Sequence, residues 1–344
     1  MSFTVTVQPS GRTFSVLRDE PILTAAIRQG VGLPYGCKDG ACGSCKCRML
    51  EGRVIHGVHQ AKALSADEEA AGWILTCQAA AQTAVTIEAR TVPGAGEFAV
   101  RKMPSRVTRI SRPAPDVAIL QMQLPANDLL QYHAGQYIEV ILRDGARRSY
   151  SMANAPHTQV GQPGIELHLR HLPGGKFTDQ VFNTLKEKDI LRLEGPFGSF
   201  FLREDSHAPM ILLASGTGFA PIKAIIEHLE FKKSERPAIL YWGCRSRADL
   251  YLHEWALAAA ERLPLLQYVP VLSEPQPDDA WAGRTGLVHH AVMHDHPNLM
   301  HHQVYACGAP IMVESARRDF VLKCGLPDDE FYADAFTSEA DKHG

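Results

Sequence analysis

Apolar and polar residues alternate from the start of the chain. Phe3, Val5 and Val7 are separated by Thr4 and Thr6, Pro9-Ser10-Gly11 turns the chain, and 13–17 alternates again. Two period-two runs joined by a short turn predict a hairpin. Asp19-Glu20-Pro21 then opens a helix with Ile22, Leu23, Ala26 and Ile27 on one face, and Gly30 and Gly32 close it. From 105 to 201 short strands recur, at 117–122, 137–142, 165–169 and 190–193, with one predicted helix at 179–185. Many strands and one helix predict a small antiparallel barrel. After Arg203-Glu204-Asp205-Ser206-His207-Ala208-Pro209, read as a hinge, the pattern changes. Residues 210–214 are continuously apolar, a helix carries Ile222, Ile225, Ile226 and Leu229 on one side, and buried-strand runs return at 239–242 and 304–306. Strand alternating with helix predicts an open parallel sheet.

Between Arg90 and Pro104 the periodicity is lost and Pro and Gly gather, which marks a linker. The expected organisation is a first domain over 1–93, a linker over 94–102, a barrel over 103–203, a parallel-sheet domain over 208–336 and a tail over 337–344. The fold class is therefore α+β and α/β multidomain. At 344 residues and 37.8 kDa the chain exceeds what one core usually serves, which agrees. Neither a secretory segment nor an apolar run of membrane-spanning length is present, so a cytoplasmic, monomeric protein without a membrane partner is expected. The net charge of -3 and the lack of a basic block argue against nucleic acid as a partner.

Chemistry enters with Gly36 to Arg48, which reads G-C-K-D-G-A-C-G-S-C-K-C-R. Cys37, Cys42 and Cys45 are spaced C-x4-C-x2-C, and with a remote cysteine, Cys77, this is the ligand spacing of a plant-type 2Fe-2S cluster. Zinc sites usually pair their cysteines as two C-x2-C hooks, whereas here three ligands share one loop. The glycines at 36, 40 and 43 let the loop wrap closely and leave amide donors for sulfur. Cys47 falls in a predicted strand and reads as a packed thiol. Cys47, Cys244, Cys307 and Cys324 are scattered, which fits a reducing compartment better than a disulfide framework.

The stretch from about Phe3 to Arg90, with L-P-Y-G-C-K-D-G-A-C-G-S-C and L-T-C-Q, resembles the plant-type ferredoxin family. The resemblance implies a β-grasp fold, with Cys37 and Cys42 on an outer iron and Cys45 and Cys77 on an inner one. Up to Val92 there are nine Lys or Arg against eight Asp or Glu, so this part is nearly neutral. Weak charge steering is expected of an electron carrier tethered to its donor.

Further along, Arg148-Ser149-Tyr150-Ser151 offers a guanidinium for phosphate, a ring for stacking and a hydroxyl. Pro173-Gly174-Gly175-Lys176-Phe177-Thr178 adds glycine amides before a helix that Thr178 is expected to cap. Gly216-Thr217-Gly218-Phe219-Ala220-Pro221 joins a buried strand to a helix, so its amides can meet a pyrophosphate, although it lacks the third glycine of the dinucleotide fingerprint.

With these motifs the middle and C-terminal sections resemble the ferredoxin-NADP reductase superfamily. R-x-Y-S matches Arg148, Tyr150 and Ser151, and G-x-x-S/T matches Gly175 to Thr178. G-P-F-G matches 195–198, G-x-G-x-x-P matches Gly216, Gly218 and Pro221, and C-G-x-P matches Cys307, Gly308 and Pro310. The resemblance implies an antiparallel β-barrel flavin domain and an open parallel α/β nucleotide-binding domain. It implies that Arg148 and the Thr178 helix hold the FAD pyrophosphate, that Tyr150 lies on the isoalloxazine, and that Ser151 bonds its reactive nitrogen. It also implies flavin contacts from His168 and Arg170, places Cys307 beside the nicotinamide, and sets the adenosine ribose near Gly243 to Arg247. Arg245 and Arg247 fit a 2'-phosphate as well as surface ion pairs, which leaves NADH and NADPH both open. Phe331-Tyr332-Ala333-Asp334-Ala335-Phe336 departs from plant reductases, because residues follow the aromatic. It is similar to the oxygenase reductases with an N-terminal ferredoxin domain, in which Phe336 would shield the flavin.

Six histidines, His289, His290, His294, His296, His301 and His302, crowd fourteen residues. His290 and His294 have zinc-like i, i+4 spacing, but no carboxylate or cysteine completes a convincing set and Pro297 breaks the segment. The cluster therefore reads as a solvated face that gains charge below about pH 6.5.

Together these parts imply an NAD(P)H-dependent flavin iron-sulfur oxidoreductase carrying electrons from NAD(P)H to FAD to the 2Fe-2S cluster to an external acceptor. The resemblance points to an oxygenase component as acceptor, with the dehydratase of a deoxysugar system as the alternative, as in CDP-6-deoxy-glucoseen reductase. A reading of another class is a cluster-based redox sensor or binding module, which would not sustain turnover of NADH with cytochrome c.

Overall fold

The structure is a computed structural model that describes residues 1–126, 129–161 and 163–337. Its elements fall into two compact units, one built on Met1–Val100 and the other on Arg101–Gly195 with Phe200–Phe336. Beyond 337, the expected tail lies outside the described residues.

The first unit contains β1 (Ser2–Gln8), β2 (Arg12–Leu17), α1 (Ile22–Arg28), β3 (Lys46–Glu51), β4 (Val54–His56), α2 (Ala66–Ala70), β5 (Trp73–Leu75), β6 (Ala79–Ala81) and β7 (Val85–Glu88). Five of the strands form a sheet in the order β2-β1-β7-β3-β5, with β1 and β7 parallel, and β4 pairs with β6. This is the β-grasp arrangement. Val5, Val7, Phe14 and Val16 are buried from the hairpin, and Ile22, Leu23, Ala25 and Ala26 from the helix. Alternation in the strands and an apolar stripe on α1 thus meet in one core.

The stretch expected to be a linker is packed at its start and mostly exposed from Gly96 to Lys102. Val92 and Ala95 are buried, and the Val92 N–H donates to the Gly32 carbonyl at 2.9 Å. A Cβ on Gly32 would stand 2.4 Å from the Val92 carbonyl oxygen, so Gly32 serves this close approach rather than only ending the helix. Loss of periodicity here reflects an irregular chain laid against the domain, and regular structure resumes at Arg101, inside the predicted linker.

The second unit opens with β8 (Arg101–Ala114), β9 (Val117–Gln123), β10 (Tyr137–Ile141), β11 (Arg147–Ser151), β12 (Gly164–Arg170), α3 (Lys176–Asn183) and β13 (Ile190–Phe197). The sheet order is β11-β10-β13-β8-β9-β12, and an antiparallel bridge between Met152 and Leu167 joins its two edges into a barrel. Phe177 and Val181 of α3 complete its core with Ile138, Val140, Leu167, Leu169 and Leu193.

The unit continues with β14 (Met210–Ser215), α4 (Phe219–Phe231), β15 (Ala238–Cys244), α5 (His253–Arg262), β16 (Leu266–Leu272), β17 (Arg284–Thr285), α6 (Val288–Asp295), β18 (Gln303–Gly308), α7 (Pro310–Cys324) and β19 (Phe331–Ala335). Its strands form a parallel sheet in the order β17-β16-β15-β14-β18-β19. Successive β14 residues feed opposite faces: Met210, Leu212 and Ala214 join the layer containing α4 and α5, while Ile211 and Leu213 join that of α6 and α7. The two-sided burial explains why this strand reads as an unbroken apolar run. The segment read as a hinge is also tied down. Arg203 is buried, its Nη1 donates to the Phe201 carbonyl at 2.8 Å, and its guanidinium lies 4.6 Å from the Tyr332 ring centre.

Candidate functional site

In the first unit the loop between α1 and β3 brings its cysteines to the remote one. The Cys37 N–H donates to Cys42 Sγ and the Cys42 N–H donates to Cys37 Sγ, both at 3.4 Å, and Cys42 Sγ lies 3.4 Å from Ser44 Oγ. Hydrogen bonding to Cys37 pulls the Cys42 thiol below its ordinary range and pushes Cys37 up. Cys45 and Cys77 form a second such pair, with Cys45 lowered and Cys77 raised. The four thiols therefore sit as two facing couples, buried or half-buried.

Two couples of thiols, three of the four from one loop, suit the two irons of a 2Fe-2S cluster, and Gly40 shows why the loop needs glycine: its φ is +80° and a Cβ would lie 2.8 Å from that of His59. Cys47, buried in β3 opposite Ile74, has its thiol pushed up to about 12 by burial and by Cys45, as suits a packed thiol.

In the second unit the strand order reverses direction around β14, whose neighbours are β15 and β18. Ligands of open parallel sheets bind beyond the strand ends at such a point. Here β14 runs into Gly216-Thr217-Gly218, a single 3-10 turn leading into α4. A Cβ on Gly218 would overlap the Cys307 carbonyl, so this glycine lets the turn close onto β18. Trp242 Nε1 donates to the Gly216 carbonyl at 3.0 Å, and the Trp242 ring stacks on Phe219 at 3.9 Å. Pro221 sits in the first turn of α4 and Pro310 is the first residue of α7, where a missing N–H costs no helix bond.

Three predicted residues meet at the end of β18. Cys307 is fully buried and its thiol is pushed well above the ordinary range by burial, then by Asp334, so it stays protonated. Asp334 is its register partner on β19, and Ser151 Oγ donates to Asp334 Oδ2 at 3.1 Å. The Phe336 N–H donates to the Gly308 carbonyl at 2.8 Å, so Phe336 is held beside this cluster. Asp334 was not singled out from sequence; its position across from Cys307 becomes visible only when the two strands pair.

On the barrel, neighbouring arginines have different surroundings. Arg147 pairs with Glu139 at 2.8 Å and with Glu194, while Arg148 Nη1 donates to the Arg147 carbonyl at 2.7 Å. Ser149 is exposed, and the half-buried Tyr150 ring lies 5.4 Å from that of Phe177. Thr178 does not cap a helix. α3 begins at Lys176 with Gly175 as its N-cap, and Thr178 Oγ1, inside the first turn, donates to the Leu172 carbonyl at 2.9 Å. A threonine in a first turn can bond backward, so here it ties the glycine turn to the strand before it. Lys176 is paired with Asp144 at 2.7 Å.

His168 and Arg170 lie on the face of β12 turned away from the barrel core. Odd-numbered residues 165, 167 and 169 of β12 fill the barrel, which turns Glu166, His168 and Arg170 to the opposite face. Both His168 ring nitrogens are engaged, with Tyr251 Oη at 2.8 Å and Glu166 at 2.9 Å. Burial first of all holds the imidazole below its usual pKa. Lys223 completes the seam with Glu166 at 3.1 Å, Glu227 at 2.5 Å and the Ala153 carbonyl at 3.0 Å. Arg170 reaches Asp116 at 3.2 Å and Asp249 at 3.5 Å with Nη1, while its buried Nε and Nη2 carry no hydrogen bond. Those two nitrogens face Gly216, where a Cβ would stand 3.7 Å from Nη2. Arg170 thus lies beside the Gly216 to Gly218 turn.

Gly243 also has a packing reason: a Cβ there would lie 2.6 Å from Val288 Cβ. Arg245 is exposed beyond β15, and Arg247 donates to the Asp279 carbonyl at 3.3 Å. The histidine segment is only partly the solvated face expected. His289 is buried, His296 and His302 are half-buried, and His290, His294 and His301 are exposed.

Comparison with known proteins agrees with this division. Residues 5–82 match the 2Fe-2S iron-sulfur cluster binding domain, 104–202 the oxidoreductase FAD-binding domain and 212–318 the oxidoreductase NAD-binding domain. The chain is 40% identical to the CDP-6-deoxy-L-threo-D-glycero-4-hexulose-3-dehydrase reductase of Yersinia pseudotuberculosis, covering 98% of this chain and 99% of that one. It is 34% identical to a terephthalate 1,2-dioxygenase reductase component of a Comamonas species over the full length of both. A crystal structure of an Amycolatopsis cytochrome P450 reductase superposes with a TM-score of 0.80 at 32% identity, over 98% of this chain and 99% of that one. With three cofactor domains in this order and such similarity end to end, the chain belongs to the oxygenase-type reductases of the ferredoxin-NADP reductase superfamily that carry an N-terminal plant-type 2Fe-2S domain, and it is an NAD(P)H-dependent electron-transfer reductase.

Proposed function

We propose that the chain is the reductase component of a multicomponent oxygenase, and that hydride transfer takes place beside Ser151, Cys307 and Phe336. The observation that carries the site is the Ser151 to Asp334 bond, which spans 183 residues and brings a barrel hydroxyl to the end of β19, across from Cys307 at the end of β18. Bound FAD supplies the conversion of a two-electron hydride into the single electrons that a 2Fe-2S cluster accepts. The chain's part is placement. Asp334 fixes the Ser151 hydroxyl, the protonated Cys307 keeps charge and water away, and Phe336 occupies the ring position that nicotinamide takes on binding. Arg148 and the turn from Gly175 to Thr178 hold the FAD pyrophosphate, and Tyr150 covers the isoalloxazine. The two unsatisfied nitrogens of Arg170, with the Gly216 to Gly218 amides, suit the pyrophosphate of the nicotinamide nucleotide, and Arg245 suits its adenosine end.

For the acceptor, similarity to dioxygenase, phenol hydroxylase, O-demethylase and xylene/toluene monooxygenase reductases supports an oxygenase component. The higher identity to the hexulose-3-dehydrase reductase favours a second reading, a deoxysugar dehydratase as acceptor. Offering the reduced protein anaerobically to a purified terephthalate dioxygenase and to a CDP-hexulose dehydrase in parallel separates them. Faster reoxidation by the dioxygenase is expected, and preference for the dehydrase would reverse the assignment.

A further inference from the structure

Helices α6 and α7 lie on the same face of the parallel sheet and bring together three groups that the electron path does not use. One ring nitrogen each from His289 and His290 and one carboxylate oxygen of Asp319 all lie within 4.8 Å of one another. His289 and Asp319 are buried, at 5% and 3% exposure, and His290 is exposed at the rim.

The spacing is wrong for a hydrogen bond and right for a shared ion. His289 Nε2 is 3.8 Å from Asp319 Oδ2. Two ligands each about 2.1 Å from a tetrahedral zinc are about 3.4 Å apart, so a small inward shift would seat one. Consecutive helical residues point about 100° apart, yet the His289 and His290 ring centres are 4.2 Å apart and tilted by 57°. Asp319 is held from behind, since Arg318 Nε at 3.0 Å and Lys323 Nζ at 3.2 Å both take Oδ1. That leaves Oδ2 toward the histidines, an outer-shell arrangement of the kind that orients a metal ligand.

We propose that His289, His290 and Asp319 form a site for a single Zn2+-class ion, with water as fourth ligand, clamping α6 to α7. The carboxylate that the sequence could not supply nearby comes from a helix thirty residues on. Arg318 and Lys323 work against the ion's charge, but both are more than half exposed and can swing into water. Affinity in the micromolar range is therefore expected rather than that of a closed cysteine site.

The test is equilibrium dialysis of the full-length protein, with cluster and FAD in place, against buffered free Zn2+, counting zinc and iron in the same samples. Iron content shows that the cluster thiols remain occupied. About one site-specific zinc per chain is expected, and His290→Ala should weaken it at least tenfold. Asp319→Asn should do likewise, whereas Arg318→Gln should tighten binding by removing a competing cation. Because His290 is exposed, its variant decides the matter even if Asp319→Asn fails to fold. Absence of zinc at about 100 μM free metal, well above micromolar affinity, or wild-type affinity in His290→Ala, would overturn the site.

Discussion

In the cluster loop, three of the four thiols fall within nine residues, Cys37 to Cys45. Around Ser151 the groups arrive from β11, β18 and β19 and are joined by a bond spanning 183 residues. The first arrangement is set by covalent spacing, because a short loop with glycines can reach few other geometries. The second is set by strand order and register, and no local spacing encodes it. The contrast predicts different failures. Loop variants should lose the cluster and leave the rest intact, while variants of the second unit should trade cofactor affinity against stability.

The largest effect is expected from the loop. Cys42→Ser or Cys77→Ser should abolish the cluster absorption and bring cytochrome c reduction to background, while NADH oxidation by ferricyanide, which draws on the flavin, persists. A normal cluster spectrum in the Cys77 variant would remove it as fourth ligand.

Next comes the seam. Burial opposes ionisation of Glu166, but the His168 hydrogen bond and Lys223 outweigh it and bring its pKa to about 2 from 4.5. A depressed carboxylate stabilises the fold above its unfolded pKa, and that contribution is lost as pH falls from about 4.5 toward 2. His168, held below 6.5 chiefly by burial, adds an earlier loss as pH falls through 6.5. Glu166→Gln should therefore cost on the order of 3 kcal/mol at pH 7 and flatten the acid limb of a Tm against pH curve. An unchanged limb would mean that the seam does not hold the second unit together.

The adjacent arginines give a sharper version of the same contrast. Arg148→Ala removes a charge-assisted contact worth about 1.5–3 kcal/mol, so FAD affinity should fall roughly tenfold to a hundredfold. Arg147→Ala breaks ion pairs with Glu139 and Glu194 and should lower Tm while retaining FAD. FAD titration by fluorescence distinguishes them, and the opposite ranking would exchange their roles. Thr178→Val loses the bond to Leu172, about 1 kcal/mol, and should loosen FAD less than Arg148→Ala does.

These expectations also mark how much could be read from the chain. The hairpin, α1 and β14 were legible because their periodicity matches their burial. Thr178 was misplaced by about one turn because a threonine before an apolar run looks like a cap whether it bonds forward to an amide or backward to a carbonyl. Nothing in the sequence says which face of β12 lines the barrel, so the partners of His168 and Arg170, Tyr251 and Asp249, become visible only in the fold. The packing of Val92 and Ala95 at the start of the predicted linker was not legible, since an irregular chain laid against glycines has no period to detect. Asp334 gains meaning only from its register with Cys307.

The smallest effect is expected at Phe336, which is half-buried and bonded through its backbone to Gly308. Phe336→Ala should bind NAD(P)+ a few-fold more tightly, with a stronger charge-transfer band, because the nicotinamide no longer displaces a ring. Turnover should fall even so, as product release slows. Unchanged affinity and spectra in a merely destabilised variant would take Phe336 out of the site.

The order of electron flow is tested most directly by anaerobic addition of NAD(P)H to protein carrying its cluster, with FAD first removed and then restored, while the electron paramagnetic resonance signal of the reduced cluster is recorded. The signal should be absent without FAD and appear when FAD is returned. A reduced cluster in the FAD-free protein, or a cluster that stays oxidised while restored FAD is bleached, would contradict transfer from NAD(P)H through FAD to the cluster.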